Sequence, residues 1–258
     1  MNSVLQFQKD KAPISVLTCY DYTSAKIIEE TGIDAVLVGD SVSMVMHGFE
    51  STIHATVDMM CMHVSAVRRG TNKFIIADLP FLAHRKGNAY LMESIDRLMK
   101  CGANSIKIEG ADDNLNAIKF VLDSGIPVMG HLGLTPQSIH QLGGYKVQGK
   151  DEMKANDLVD DALSLQEAGC FAIVLELVPA KLAKQITEKL NIPTIGIGAG
   201  KYTSGQVLVL HDMLGMNRDF NPKFLKKYMD GYSLIKDALQ SYNNEVKSKK
   251  FPSDKESF

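Results

Sequence analysis

One phrase recurs along this chain: the polar end of an amphipathic stretch, a Gly or Asn, then a short run of Val, Ile and Leu. It reads EETGIDAVLVGD (29–40), VRRGTNKFIIAD (67–78), MKCGANSIKIEG (99–110), VLDSGIPVMGH (121–131), LQEAGCFAIVLEL (165–177) and EKLNIPTIGIGAG (188–200). In each, Gly32, Gly70, Gly102, Gly125, Gly169 or Asn191 stands where a helix ends on a left-handed residue. The apolar run that follows lacks strict alternation, as in a parallel strand covered on both faces. ISVLTCYD (14–21) and QVLVLHDML (206–214) supply two more strands, and helical patterns fill the gaps. Eight short strands alternating with helices predict an α/β fold of the closed (β/α)8 TIM-barrel type, one domain over 1–258 with a polar C-terminal tail from about 241. A doubly wound open sheet would need a phosphate-binding glycine fingerprint after the first strand, and none is there.

Composition changes this picture little. The chain has 258 residues, 45% hydrophobic and 22% charged, with a formal net charge of −2, which argues against a nucleic-acid or membrane-surface binder. Its opening MNSVLQFQKDKAPISVL lacks the pattern of a secretory signal, and no run approaches the roughly 20 apolar residues of a membrane span. Four cysteines without a CxxC pair fit a reduced, cytoplasmic setting.

Barrel enzymes place their chemistry at the C-terminal ends of the strands. Here those ends carry Asp21, Asp40 with Ser41, Asp78, Lys107 with Glu109, His131, Glu176, and His211 with Asp212. Lys107 and Glu109 are two apart on one strand and so share a face. Asp40, Asp78 and Glu109 offer hard oxygen donors that suit Mg²⁺ better than zinc. Glu176 stands alone in an apolar strand and suits general-base work, while His131 is a candidate polar wall of the mouth. Long segments follow strand 2 (41–57) and strand 5 (133–150), where lids are found in such barrels.

Seven blocks in order, GDSVSM (39–44), ADLPF (77–81), IKIEG (106–110), GHLGLTPQS (130–138), GGYKVQGK (143–150), VLELVP (174–179) and IPTIGIGAG (192–200), resemble the ketopantoate hydroxymethyltransferase family. The resemblance runs through nearly the whole chain. It implies transfer of a hydroxymethyl group from 5,10-methylenetetrahydrofolate to α-ketoisovalerate (3-methyl-2-oxobutanoate) by way of a Mg²⁺-stabilised enolate, in pantothenate biosynthesis. It also implies that Asp40, Asp78 and Glu109 hold Mg²⁺, that Asp40, Ser41, Asp78 and Lys107 bind the keto acid, that Glu176 is the base, and that the subunits form a homodecamer.

The chain departs from the family's pattern at Ser43, where GDSLGM is usual, at His84 and Arg85, and at Ser204. None of these is a metal ligand or the base. Two alternatives use the same barrel. Enolate-forming enzymes of the phosphoenolpyruvate/pyruvate type carry a catalytic cysteine loop that is not found here, although Cys19 ends strand 1. A non-catalytic binder would be expected to have lost part of the charged set.

Overall fold

The computed structural model describes residues 4, 7–9, 12–111, 114–138, 144 and 146–258. Eight strands close into a parallel barrel: β1 Ile14–Thr18, β2 Ala35–Val38, β3 Phe74–Asp78, β4 Ser105–Glu109, β5 Val128–Gly133, β6 Ala172–Glu176, β7 Thr194–Ile197 and β8 Gly205–Leu208. Each pairs with its neighbours in sequence, and β8 returns to β1 through Ile14 opposite Gly205. Around them run α1 Tyr22–Glu29, α2 Val42–Val45, α3 Val57–Gly70, α4 Asn88–Lys100, α5 Leu115–Asp123, α6 Glu152–Ala168 and α7 Ala180–Lys189. The described residues divide into two compact units, Met1–Leu208 with the barrel and Val209–Phe258 with α8 Leu210–Met213 and α9 Gly231–Lys247.

Period-2 alternation decides what fills the barrel. Val16, Leu37, Phe74, Ile76, Met129, Ala172, Val174, Ile195 and Val207 form one buried cluster, joined by Phe7. The Phe7 ring meets Phe74 and Phe171 edge-on, each at 5.1 Å, a favourable aromatic geometry. Two residues further along the same faces, Ile76 gives way to Asp78, Met129 to His131 and Val174 to Glu176. The pattern that packs the core therefore also delivers charge to the C-terminal rim.

The expected left-handed helix ends appear at Gly102, Gly125 and Gly169, with φ of 113°, 83° and 106°. Gly32, Gly70 and Asn191 are not left-handed. Gly70 serves packing instead, since a Cβ there would stand 2.6 Å from both the Ala25 Cβ and the Tyr22 carbonyl oxygen on α1.

Two further expectations need correction, and the structure adds detail to a third. The eighth strand stops at Leu208, and His211 and Asp212 lie in α8 rather than at a strand end. Asp21 caps α1, its Oδ1 accepting from the Ser24 N–H at 2.8 Å. Helix α9 runs on to Lys247, so residues 241–247 of the expected polar tail are helical.

Candidate active site

The site is assembled from strand register. Asp78 on β3 lies opposite Lys107 on β4, and Glu109 lies opposite His131 on β5. Lys107 Nζ is 3.1 Å from Asp78 Oδ1, 3.6 Å from Glu109 Oε1 and 3.0 Å from His131 Nδ1. The other side of the imidazole reaches β6, with His131 Nε2 3.3 Å from Glu176 Oε2. Asp40 joins from just beyond β2, its backbone N–H donating to Asp78 Oδ2 at 3.0 Å. Gly39 permits this approach: a Cβ there would stand 2.9 Å from Ser41 Oγ and 3.4 Å from Asp78 Oδ2.

Asp40, Asp78, Lys107, Glu109 and His131 are all buried, whereas the Glu176 side chain keeps 17% exposure. Burial, and after it the charges of Asp78 and Glu109, raises the Asp40 carboxyl well above its ordinary range. Burial raises Asp78 too, against the pull of Lys107. For Glu109 burial also pushes upward, but His131, Lys107 and the Gln137 N–H together hold it below its usual value. Burial works against charge on Lys107, yet Asp78, Glu109 and Asp40 outweigh it and keep the ammonium form favoured. His131 is opposed by burial and by Lys107, but Glu109 and Glu176 raise its pKa overall. Anionic charge around Asp40 and Asp78 is thus only partly compensated by protein.

A divalent cation fits that imbalance. The donors are hard oxygens, and the buried Asp78 Oδ1 and Glu109 Oε1 meet only the ion-pair contacts of Lys107 and His131. Among the described residues no three His, Cys, Asp or Glu side chains are grouped to enclose an ion unaided.

Ser41 Oγ is 2.8 Å from the hydroxyl of the fully buried Tyr20. All the residues singled out at the ends of strands 2 to 6 therefore meet around one mouth, while Asp21 is a helix cap. Sequence reasoning missed Tyr20, Asn114 and Gln137. Gln137 Nε2 donates to Asp40 Oδ2 at 2.8 Å, and Asn114 Nδ2 donates to the Glu109 carbonyl at 2.8 Å. The GHLGLTPQS block held the one available hint for Gln137. Leu177, directly after Glu176, takes a φ of 47°, uncommon for a residue with a side chain, and its carbonyl accepts from Gln148 N–H. Cys19 is buried, and burial pushes its thiol up to about 11, which disfavours the thiolate a catalytic cysteine needs.

The family model for ketopantoate hydroxymethyltransferase matches residues 1–254. This chain belongs to that family. It is accordingly a transferase, of the hydroxymethyltransferase kind. A Bdellovibrio bacteriovorus protein named 3-methyl-2-oxobutanoate hydroxymethyltransferase is 53% identical over 100% of both chains. A Coxiella burnetii protein of the same name is 55% identical over 96% of this chain and 94% of its own. Among solved structures, a putative phosphonomutase from Burkholderia cenocepacia superposes with a TM-score of 0.65 over 83% of this chain and 93% of its own, at 14% identity, a likeness of fold alone.

Of the departures from the family's pattern, Ser43 and His84 lie beside the hydroxymethyltransferase site, whereas Ser204 lies at the opposite, N-terminal end of the barrel, where its carbonyl accepts from the Ile14 N–H. Ser43 Oγ is 2.9 Å from the Asp40 carbonyl and 3.0 Å from the Ser51 carbonyl, so its hydroxyl ties the turn that carries Asp40 to the segment behind it. His84 lies beside Asn114; burial, then Arg85, holds its pKa below the usual value. Ser204 and Thr194 bond reciprocally, the backbone N–H of each donating to the hydroxyl oxygen of the other at 3.3 Å. The segment after β2 is structured by α2 and a 3₁₀ turn at Thr52–His54. Part of the segment after β5, including positions in the GGYKVQGK block, lies outside the described residues.

Proposed function

We propose that this chain transfers a hydroxymethyl group from 5,10-methylenetetrahydrofolate to 3-methyl-2-oxobutanoate, forming ketopantoate for pantothenate biosynthesis. The observation that carries the reading is the buried Asp40–Asp78–Lys107–Glu109 group joined through His131 to Glu176. Asp40, Asp78 and Glu109 would hold Mg²⁺, which would supply Lewis-acid polarisation of the keto oxygen. Lys107 adds positive charge towards the same end of the substrate, and Ser41, oriented by Tyr20, adds a hydrogen bond. Glu176 takes the proton from C3. Both carbon–nitrogen bonds that hold the methylene in the folate break, one replaced by the bond to C3 and the other by the bond to a water oxygen, and the protons from C3 and from that water end on the two folate nitrogens. His131, 3.3 Å from Glu176, steadies the base from the barrel side.

The other finer properties rest on the same family membership. We assign the enzyme to the cytoplasm; no helix among the described residues is long and apolar enough to cross a membrane. We assign the subunits to a homodecamer on the same family membership; self-association as such is supported by the exposed apolar side chains Ile235, Leu239, Tyr242 and Val246, which recur at helical spacing along α9. Analytical ultracentrifugation reads that directly, and a monomer at working concentration rejects it.

The central test follows the C3 proton of 3-methyl-2-oxobutanoate by NMR in D₂O with Mg²⁺ and no folate. Exchange that disappears with Glu176→Gln and with a chelator supports the mechanism. Exchange absent from the parent protein, even after tetrahydrofolate is added, removes its first step.

A further inference from the structure

We propose that Gln137 is a positioning residue of the cation site, acting through Asp40 and Glu109 from the segment that follows β5. The inference rests on the cation-assisted reading above and deepens it. Gln137 sits on the 3₁₀ turn Pro136–Ser138, to which the mechanism assigns no role. Its side chain is buried among the ends of three other strands. One amide N–H donates to Asp40 Oδ2 at 2.8 Å and the other to the Leu79 carbonyl at 3.0 Å. Its backbone N–H donates to Glu109 Oε2 at 3.1 Å. Leu79 N–H in turn donates to the Lys107 carbonyl at 2.9 Å. A single residue therefore spans the outer ends of β2, β3 and β4, the strands that deliver the oxygen donors.

The chemical type matters as much as the reach. A buried carboxylate needs hydrogen-bond donors, and a Lys or Arg in this place would satisfy Asp40 by neutralising it, in competition with a metal ion. A primary amide donates without bringing charge, so Asp40 is oriented without a protein cation competing for its oxygens. Its second N–H is anchored on a backbone carbonyl, which fixes the direction of the first. Outer partners of this kind orient the groups that ligate metals, and their loss typically weakens metal affinity about 10- to 100-fold. The backbone bond to Glu109 survives any substitution, so the side chain's part can be tested separately.

The probe is Mn²⁺, added to metal-stripped full-length protein with and without 3-methyl-2-oxobutanoate, with the free ion read by electron paramagnetic resonance. Gln137→Ala removes the amide; Gln137→Met fills much of the same space without a donor and carries the test if the alanine variant does not fold. Thermal unfolding monitors the fold of both. The expected result is a rise in the Mn²⁺ dissociation constant of about 10-fold or more, with kcat at saturating Mn²⁺ falling far less than affinity. A purely structural role would lower the unfolding temperature and leave affinity unmoved. Affinity within about twofold of the parent in a folded variant overturns the proposal. A parent that binds no Mn²⁺ under either condition overturns the cation reading and this inference together, whereas a parent that binds it, matched by a folded variant, overturns this inference alone.

Discussion

The two ends of the barrel interior are made by the same strands and do opposite things. At the N-terminal end Phe74, Ile76, Met129, Ala172 and Val174 pack with Phe7 into a layer that contains no charge. At the C-terminal end, one step further along the same faces, stand Asp78, Lys107, Glu109, His131 and Glu176. Burying an aliphatic side chain contributes about 1.5–3 kcal/mol, whereas taking a charge out of water costs several kcal/mol before pairing offsets it. The lower layer stabilises the barrel; the upper one draws on that stability to hold ionised groups where water is scarce. Folding and chemistry thus obey one alternation rule with different residue types at its two ends.

Substitutions at each end should separate these roles. The largest effect is expected from Glu176→Gln, a loss of about 10²- to 10⁴-fold in turnover, the usual contribution of general base catalysis. Because its side chain is partly exposed, unfolding in urea should shift little. Lys107→Met comes next. It strips the cation from buried Asp78 and Glu109, and breaking such pairs from one side costs about 3–5 kcal/mol. That variant should lose both stability and activity, and a stability equal to the parent's would show that the upper layer's charges are not held as described. At the lower end, Ile76→Val removes one methylene from the core, for about 0.5–1.5 kcal/mol. Its kcat should match the parent's, since the change lies two residues below Asp78; a tenfold loss of kcat would mean that the layers are not separable.

What was legible in the sequence follows the same division. The strands and the charges at their ends were readable because both depend on periodicity and on Gly-marked helix ends. The end of β8 was not, since the apolar run Val207–Leu210 is too short to distinguish strand from helix and runs straight into His211 and Asp212. Asp21 looked like a site residue because a cap and a catalytic carboxylate are the same side chain at the same strand end; the difference is Ser24, whose N–H it accepts. Gln137 and Tyr20 were missed for another reason. A neutral polar residue has no charge signature, and Gln137 meets Asp40 across 97 positions of sequence. Only the closed barrel makes them neighbours.

The smallest effect concerns pH, and it sharpens the contrast between the layers because only the upper one titrates. Asp40 and Asp78 have carboxyl groups raised above their unfolded values, by burial first and then, for Asp40, by the neighbouring carboxylates. For such groups ionisation works against folding: the penalty is complete above the folded pKa and vanishes below the unfolded one, near 4. Glu109, held below its usual value, acts in the reverse sense, and its contribution is lost as pH falls through its folded pKa. Metal-free protein should therefore become somewhat more stable as pH is lowered from neutral towards about 5, before Glu109 protonates. Asp40→Asn should flatten that rise, because one of the two opposing carboxylates is gone. Saturating Mg²⁺ should flatten it too, by compensating the same charge. Urea unfolding at several pH values, with chelator and with Mg²⁺, reads all three conditions; a metal-free protein whose stability falls steadily from neutral pH would show that protein groups alone already balance the mouth, and the case for a cation there would lose its electrostatic basis.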